Sequence, residues 1–332
     1  MSVTTTESTD RLPAPGETVD AVVVGGGAAG LNGALMLARS RRSVVVIDSG
    51  TPRNAPAKGV HGLLGLDGTP PAELLRTGRR EVRRYGGTVV TGEVIAAAPA
   101  DPSPEGDQRF TVTLAEGGTL HARRLLVATG LRDVLPDIPG LARHWGHGVV
   151  HCPYCHGWEV RDEPIGVLAV GPASIHHAML FRQLTDDLVY FTRNTDLDAE
   201  TRARFAARGI RVVDGPVASV EPTGDGDIEG VRLEGGQTVA RRILAVATTM
   251  QARTEGLEGL HLPMQDLPNG MGRHFATGMA GTTQVPGVRV AGNATDLAAQ
   301  VGASAAAGAQ AGAHMNADLA SADTDAALAA AR

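Results

Sequence analysis

The two cysteines of this 332-residue chain stand three apart, as Cys152-Pro153-Tyr154-Cys155, and His156 follows at once. A vicinal dithiol can close locally into a disulfide, and a neighbouring hydrogen-bonding or positive group lowers the pKa of one thiol until it attacks as a thiolate. Two other chemistries share the spacing. A structural zinc site needs four ligands, two of which would have to come from His144, His147, His151 and His156. Two inert buried thiols are the bland alternative, but a chain with only two cysteines has little reason to set both in one Pro-containing turn. Cys152 and Cys155 are therefore read as a redox couple, with no metal. His156, whose imidazole titrates near neutrality, is placed to serve as a general base; the alternative is a loop histidine that only orients the turn. Tyr154 and Trp158, two of very few aromatic residues, either line a substrate pocket or simply pack.

A second constellation lies near the N-terminus. Asp20 to Val24 is a short apolar run of strand character that delivers into Gly25-Gly26-Gly27-Ala28-Ala29-Gly30. A helical pattern follows through Leu31, Leu35, Leu37 and Ala38, and a second strand-like run, Val44 to Ile47, ends in Asp48. Strand, glycine turn, helix, strand and acid are the context that a G-x-G-x-x-G signature needs for dinucleotide binding. Gly25 permits the turn, Gly27 lets backbone approach a pyrophosphate, and Gly30 lets helix pack on strand. The helix N-terminus at Ala28 and Ala29 offers free N–H groups to the phosphates, and Asp48 is placed to accept the ribose hydroxyls.

The elements that must position these residues are legible in outline. Leu125 to Val127 is a strand closing in the small-residue turn Ala128-Thr129-Gly130, preceded by hairpin-like segments around Val89 to Val94 and Phe110 to Leu114. A similar strand and turn, Val288 to Asn293, leads into an Ala/Gly-rich helix from about Gln300 to Leu319. Between them lies a block with its own strand-turn-helix at Ile165 to Phe181 and further strands at Ile210 to Val213 and Ile243 to Ala247. The expected class is α/β, with two Rossmann-like (three-layer ββα) dinucleotide-binding domains, the second inserted in the first. Residues 20–132 and 251–332 would form the first, 133–250 the inserted one carrying the C-x-x-C, and 1–19 a flexible tail.

Composition excludes several classes. A net charge of -6 with thirty basic residues scattered among thirty-six acidic ones argues against nucleic acid. No stretch approaches the roughly 20 apolar residues of a membrane span, and Met1 to Thr18 carries neither an apolar signal core nor a basic start. A cytoplasmic protein is expected, and there a C-x-x-C is more often catalytic than structural.

Four motifs occur in order: G-G-G-A-A-G at 25–30, A-T-G at 128–130, C-P-Y-C-H-G at 152–157 and A-G-N-A-T-D at 291–296. From Asp20 to about Leu319 the chain resembles the low-molecular-weight thioredoxin reductase family, homodimeric FAD enzymes with a redox C-x-x-C in the inserted domain. The resemblance implies that FAD is held by Gly25, Gly27, Ala28, Ala29, Gly30 and Asp48, by Ala128, Thr129 and Gly130, and on its flavin side by Gly292 and Asn293. The family usually has Asp at position 293. It also implies that Cys155 lies nearer the flavin and Cys152 exchanges with substrate sulfur.

A second departure concerns the nicotinamide turn of the inserted domain, which here reads Gly171-Pro172-Ala173-Ser174-Ile175-His176. Only Gly171 matches; Ala173 adds a methyl where backbone should meet phosphate, Pro172 removes a donor, and Arg193 is the only early basic residue after the next strand. The C-P-Y-C-H-G-W-E stretch resembles the branch of dithiol oxidases that install the disulfides of gliotoxin-, holomycin- and romidepsin-type natural products, as does the loop Gly65 to Pro71. That resemblance implies a small-molecule dithiol as substrate and O2, reduced to H2O2, as acceptor. An NADPH-dependent thioredoxin or disulfide reductase is the alternative, in which the divergent turn still binds a nicotinamide with His176 or His177 helping to hold phosphate, and a redox sensor without turnover is a third reading.

Overall fold

The computed structural model describes residues 12–14, 16–103 and 106–332. Runs of β-branched residues build its first sheet, of seven strands: β1 (Thr18–Val24), β2 (Val44–Asp48), β3 (Thr88–Thr91), β4 (Val94–Ala100), β5 (Arg109–Leu114), β6 (Thr119–Val127) and β19 (Val288–Val290). Their order is β3-β2-β1-β6-β5-β4, with β19 on the C-terminal half of β6. The β1, β2, β3 and β19 pairings are parallel, whereas β4-β5-β6 is an antiparallel meander. Both faces of β1 are buried, as a parallel core strand requires. Val22 and Val24 face a core with Phe110, Val112 and Leu120 of the meander. Ala21 and Val23 face the other way, onto α1 (Ala28–Arg39), α2 (Pro71–Arg84) and α6 (Val301–Ala330).

The second unit repeats this plan. Five parallel strands, β8 (Val149–Val150), β9 (Ile165–Leu168), β10 (Leu188–Phe191), β11 (Arg211–Val213) and β15 (Ile243–Val246), run in the order β11-β10-β9-β15-β8. One face packs on α4 (Ala173–Phe181) and α5 (Ala199–Ala207) through Phe181 and Phe205. The other packs on an antiparallel sheet of β12 (Val217–Pro222), β13 (Ile228–Leu233) and β14 (Thr238–Ala240) through Val220, Ile228 and Val231. The chain passes between the units through a small sheet of β7 (Leu131–Val134), β16 (Thr249–Ala252), β17 (Met264–Asp266) and β18 (Gly272–Phe275). The expected α/β class, with one ββα unit inserted in another, is the observed one.

Several features differ from the sequence reading. β1 starts at Thr18 rather than Asp20, because Val19 is buried and pairs with Ala122, so the tail is shorter than 1–19; most of it, 1–11 and residue 15, lies outside the described residues. α6 continues past Leu319 to Ala330, where Arg42 and Arg123 both grip Asp323 at 2.6 Å. α2 was not anticipated. The small residues of α6 bring backbones together: a Cβ at Gly308 would stand 1.9 Å from the Ala29 carbonyl oxygen, and one at Gly312 2.5 Å from that of Gly33. Among the described residues no helix is long and apolar enough to cross a membrane.

Candidate active site

β1 delivers the chain into a turn that only glycine can make. Gly25 has φ +107 and a Cβ there would lie 2.3 Å from the Ala128 carbonyl oxygen; a Cβ on Gly30 would lie 1.8 Å from that of Gly25. Gly27 is different. It heads α1 with nothing within 4 Å of its missing side chain, and no side chain caps the helix. The first-turn N–H groups, at Ala28, Ala29 and Gly30, therefore face an open cradle with the positive end of the helix behind them. Asp48, ending β2, lies beside Gly26 and accepts the Arg79 guanidinium at 2.5 Å and the Gly50 N–H at 3.1 Å.

The remaining cofactor-side residues gather here too. The Thr129 hydroxyl donates to the Arg253 carbonyl at 2.8 Å and the Arg253 N–H to the Gly130 carbonyl at 3.0 Å, so the Ala128-Thr129-Gly130 turn is stitched to the strand returning from the second unit. Gly292, at φ +76, has no room for a side chain because Ala29 stands 2.7 Å from where its Cβ would be. Asn293 donates its amide to the carbonyls of Asp296 at 3.0 Å and Ala299 at 2.8 Å. A carboxylate cannot donate, so Asn in place of the family's Asp is tied to this turn.

Gly25, Asp48, Gly130 and Asn293 line one cleft of about 1210 Å³, and Cys152, Cys155 and His156 line the same cleft. The redox turn is a single helical turn, α3 (Pro153–His156), with Cys152 as its cap residue. The Cys155 thiol donates to the Cys152 sulfur at 2.7 Å, and the Cys155 and His156 N–H groups point at the Cys152 carbonyl at 3.3 and 3.1 Å. The Cys155 thiol's hydrogen bond lowers Cys152 to about 7 against the opposing effect of burial, helped by the backbone N–H groups of Tyr154 and Cys155 and the Arg53 charge. Cys155 is pushed up by the same bond, whose proton it keeps, and by burial. Gly157 completes the turn, since a side chain there would strike the Pro153 carbonyl and Leu184.

Burial lowers the His156 pKa, so its imidazole is neutral at neutral pH, and its Nε2 is buried without a hydrogen-bond partner. Beyond it, His61 lies 3.3 Å from Glu159 and 3.4 Å from Asp67. Of the Gly65 to Pro71 stretch only Pro71 lines the cleft; the rest is a turn in which Asp67 accepts the Gly62 N–H. His151 lines the cleft, whereas His144 and His147 do not. Tyr154 is at the cleft and largely exposed, while Trp158 lies outside it beneath the Arg161 guanidinium.

The second turn, between β9 and α4, has Pro172, which carries no N–H, at the helix start. The Val170 N–H donates to the Ser174 hydroxyl at 3.0 Å, and the Arg193 guanidinium donates to the Ala169 carbonyl at 2.9 Å. His176 and His177 of α4 line the dithiol cleft, and the buried His177 Nε2–H bonds the His151 carbonyl, immediately before Cys152. Arg53, Arg79 and Asp133 carried no motif in the sequence, because each acts through a partner distant along the chain.

Residues 19–313 match the family described as pyridine nucleotide-disulphide oxidoreductase. The thioredoxin reductase tcpT of Claviceps purpurea is 37% identical over 262 residues, covering 76% of this chain and 79% of that one. The thioredoxin reductase aclD of Aspergillus oryzae is 31% identical over 252 residues, covering 74% and 79%. Among solved structures, HlmI superposes with a TM-score of 0.87 at 43% identity, over 95% of this chain and 96% of that one.

Proposed function

The chain belongs to the pyridine nucleotide-disulphide oxidoreductase family, and on that premise we propose that it is a dithiol oxidase, closing a small-molecule dithiol to an intramolecular disulfide with O2 as electron acceptor. It is an FAD-dependent oxidoreductase acting on sulfur groups. The open cradle at Gly27, the uncapped start of α1 and the Asp48 carboxylate fit the pyrophosphate and ribose of that cofactor. When bound, FAD supplies two-electron acceptance from a dithiol and delivery of those electrons to oxygen as peroxide.

The observation that carries the oxidase reading is the contrast between the two turns. The first presents the N–H groups of Ala28, Ala29 and Gly30 beyond Gly27; in the second, Pro172 stands at the helix start without an N–H and Ala173 follows it where the first turn has Gly27. Both changes weaken that turn as a phosphate site, which supports a dithiol rather than a nicotinamide as the electron source.

The cysteines work as a disulfide in the oxidised enzyme. His156, neutral and at the cleft, takes the proton of one substrate thiol. The thiolate attacks the Cys152 sulfur, the Cys152–Cys155 bond breaks, and Cys155 leaves with the electron pair and is protonated. The second substrate thiol then attacks its partner sulfur in the mixed disulfide and expels Cys152, whose low pKa makes it a good leaving group. Substrate leaves as a ring-closed disulfide and the enzyme holds a dithiol, so two electrons and two protons have moved.

An anaerobic titration tests this reading. A small dithiol should bleach the flavin, NADPH should not, and air should restore the colour with one peroxide per disulfide formed. Bleaching by stoichiometric NADPH would overturn the oxidase in favour of a reductase.

A further inference from the structure

Asp48 is held on three sides. A Cβ at Gly26 would lie 2.7 Å from the Asp48 Cβ and carboxyl carbon, so only glycine fits beside it. The Gly50 N–H donates to Oδ1 at 3.1 Å, and the Arg79 guanidinium donates to Oδ2 at 2.5 Å. The Asp48 side chain is 13% exposed and lines the cleft, whereas Arg79 does not line it. Both the wall and the clamp come from α2: its start lines the cleft with Pro71, Leu74 and Leu75, and its middle delivers Arg79. Gly78, next to Arg79, sets the helix close on α1, since a Cβ there would stand 3.0 Å from the Leu31 side chain.

We infer that Arg79 is a positioning residue for the adenosine ribose of FAD. It acts through Asp48, fixing the plane of the carboxylate so that both oxygens stay turned to the ribose hydroxyls. The inference rests on the reading of Asp48 as the ribose acceptor, and holds for an oxidase and a reductase alike.

An ionised carboxylate has about four acceptor sites, two on each oxygen. Gly50 and Arg79 take one site on each oxygen, which leaves one on each, as many as the vicinal hydroxyls of a ribose. A diol is met in this way only while the carboxylate keeps its plane. The last torsion of an aspartate is soft, so with the Gly50 bond alone the group could swing about Oδ1. Arg79 supplies the second anchor, on the other oxygen, through a charge-assisted hydrogen bond. Its neighbours on α2 serve other partners: Arg76 meets Glu73, and Arg83 donates to the Val89 carbonyl.

The test is a competition between FAD and its 2′-deoxyadenosine analogue. Full-length protein is freed of flavin and equilibrated with an excess of an equimolar mixture of the two, and the ratio bound is read by mass spectrometry. The wild type should favour FAD about 10-fold or more, the value of one hydrogen bond to a charged group. Arg79→Met keeps the aliphatic stem and the helix propensity but has no donor, and its ratio should fall close to parity. Arg79→Ala gives the same comparison should the methionine variant fail to fold. A ratio is unaffected by a general loss of affinity or of folded protein, so a merely structural role for Arg79 would leave it unmoved. The wild-type preference retained in the variants would overturn the inference. A wild type that takes up both dinucleotides equally would overturn it as well, by showing that Asp48 does not read the 2′-hydroxyl. The assay uses no dithiol, oxygen or NADPH, so its outcome is separate from that of the oxidase reading.

Discussion

Gly27→Ala separates cofactor binding from folding. The added methyl meets nothing within 4 Å, and the backbone at φ −79, ψ −171 is one that any residue adopts. The apoprotein should therefore change in stability by less than about 1 kcal/mol, the scale of losing a glycine cap. The same methyl projects into the cradle in which a pyrophosphate must approach the free N–H groups of α1. Losing one hydrogen bond to a charged group there costs about 1.5–3 kcal/mol, so FAD should bind roughly 10- to 150-fold more weakly. Gly30→Ala is the opposite control, because its Cβ would stand 1.8 Å from the Gly25 carbonyl and the turn itself must move. The assay pairs urea unfolding of flavin-stripped protein with a fluorescence titration of FAD. The reasoning is refuted if Gly27→Ala binds FAD like the wild type, or if it loses as much apoprotein stability as Gly30→Ala.

His156→Gln should lower kcat/KM for a dithiol about 10²- to 10⁴-fold and remove the acidic limb of the pH profile. In the wild type that limb rises with pH as the imidazole loses its proton, with its midpoint below the ordinary histidine value because burial disfavours the charged form. Cys152→Ser should keep its yellow colour yet fail to bleach with dithiol under anaerobic conditions. Asp133 and Asp107 are held below the ordinary aspartate range by their arginine partners, against the opposing effect of burial, so each contributes stability above about pH 4 that is lost as pH falls through the folded value. Asp133→Asn should accordingly flatten the dependence of the urea midpoint between pH 5 and 3 and lower the midpoint at pH 7. Light scattering should give twice the chain mass of 34.2 kDa if the expected homodimer forms.

What the sequence disclosed was what is local in it. Gly25 to Gly30 and Asp48 form a turn between adjacent elements, and Cys152 to His156 form a single helical turn, so spacing alone located both. Pairing across long separations stayed hidden. Nothing near Asp48 announced that Arg79 would bind it, because the contact joins residues thirty-one apart and α2 buries only Pro71, Leu75 and Val82. The sheet of β12, β13 and β14 was missed for a related reason: register shifts between Val217 and Ser219 and between Glu221 and Pro222 interrupt the alternation that marks a strand. The resemblance assigned Asn293 to the flavin side of the cofactor; its amide, committed to two carbonyls of the following turn, could be placed only once that turn was built.

The close approach of α6 to α1 has a consequence for how the protein is made. The helix whose start forms the cradle is held in place by Gly308 and Gly312, nearly three hundred residues later, through contacts so short that no side chain could take part. A ribosome releases the cradle's own residues long before the helix that braces them, so a nascent chain lacking residues 301–319 has the glycine turn but not its buttress. A chain cut before residue 301 should accordingly take up flavin poorly, and one that keeps Gly308 and Gly312 should turn yellow.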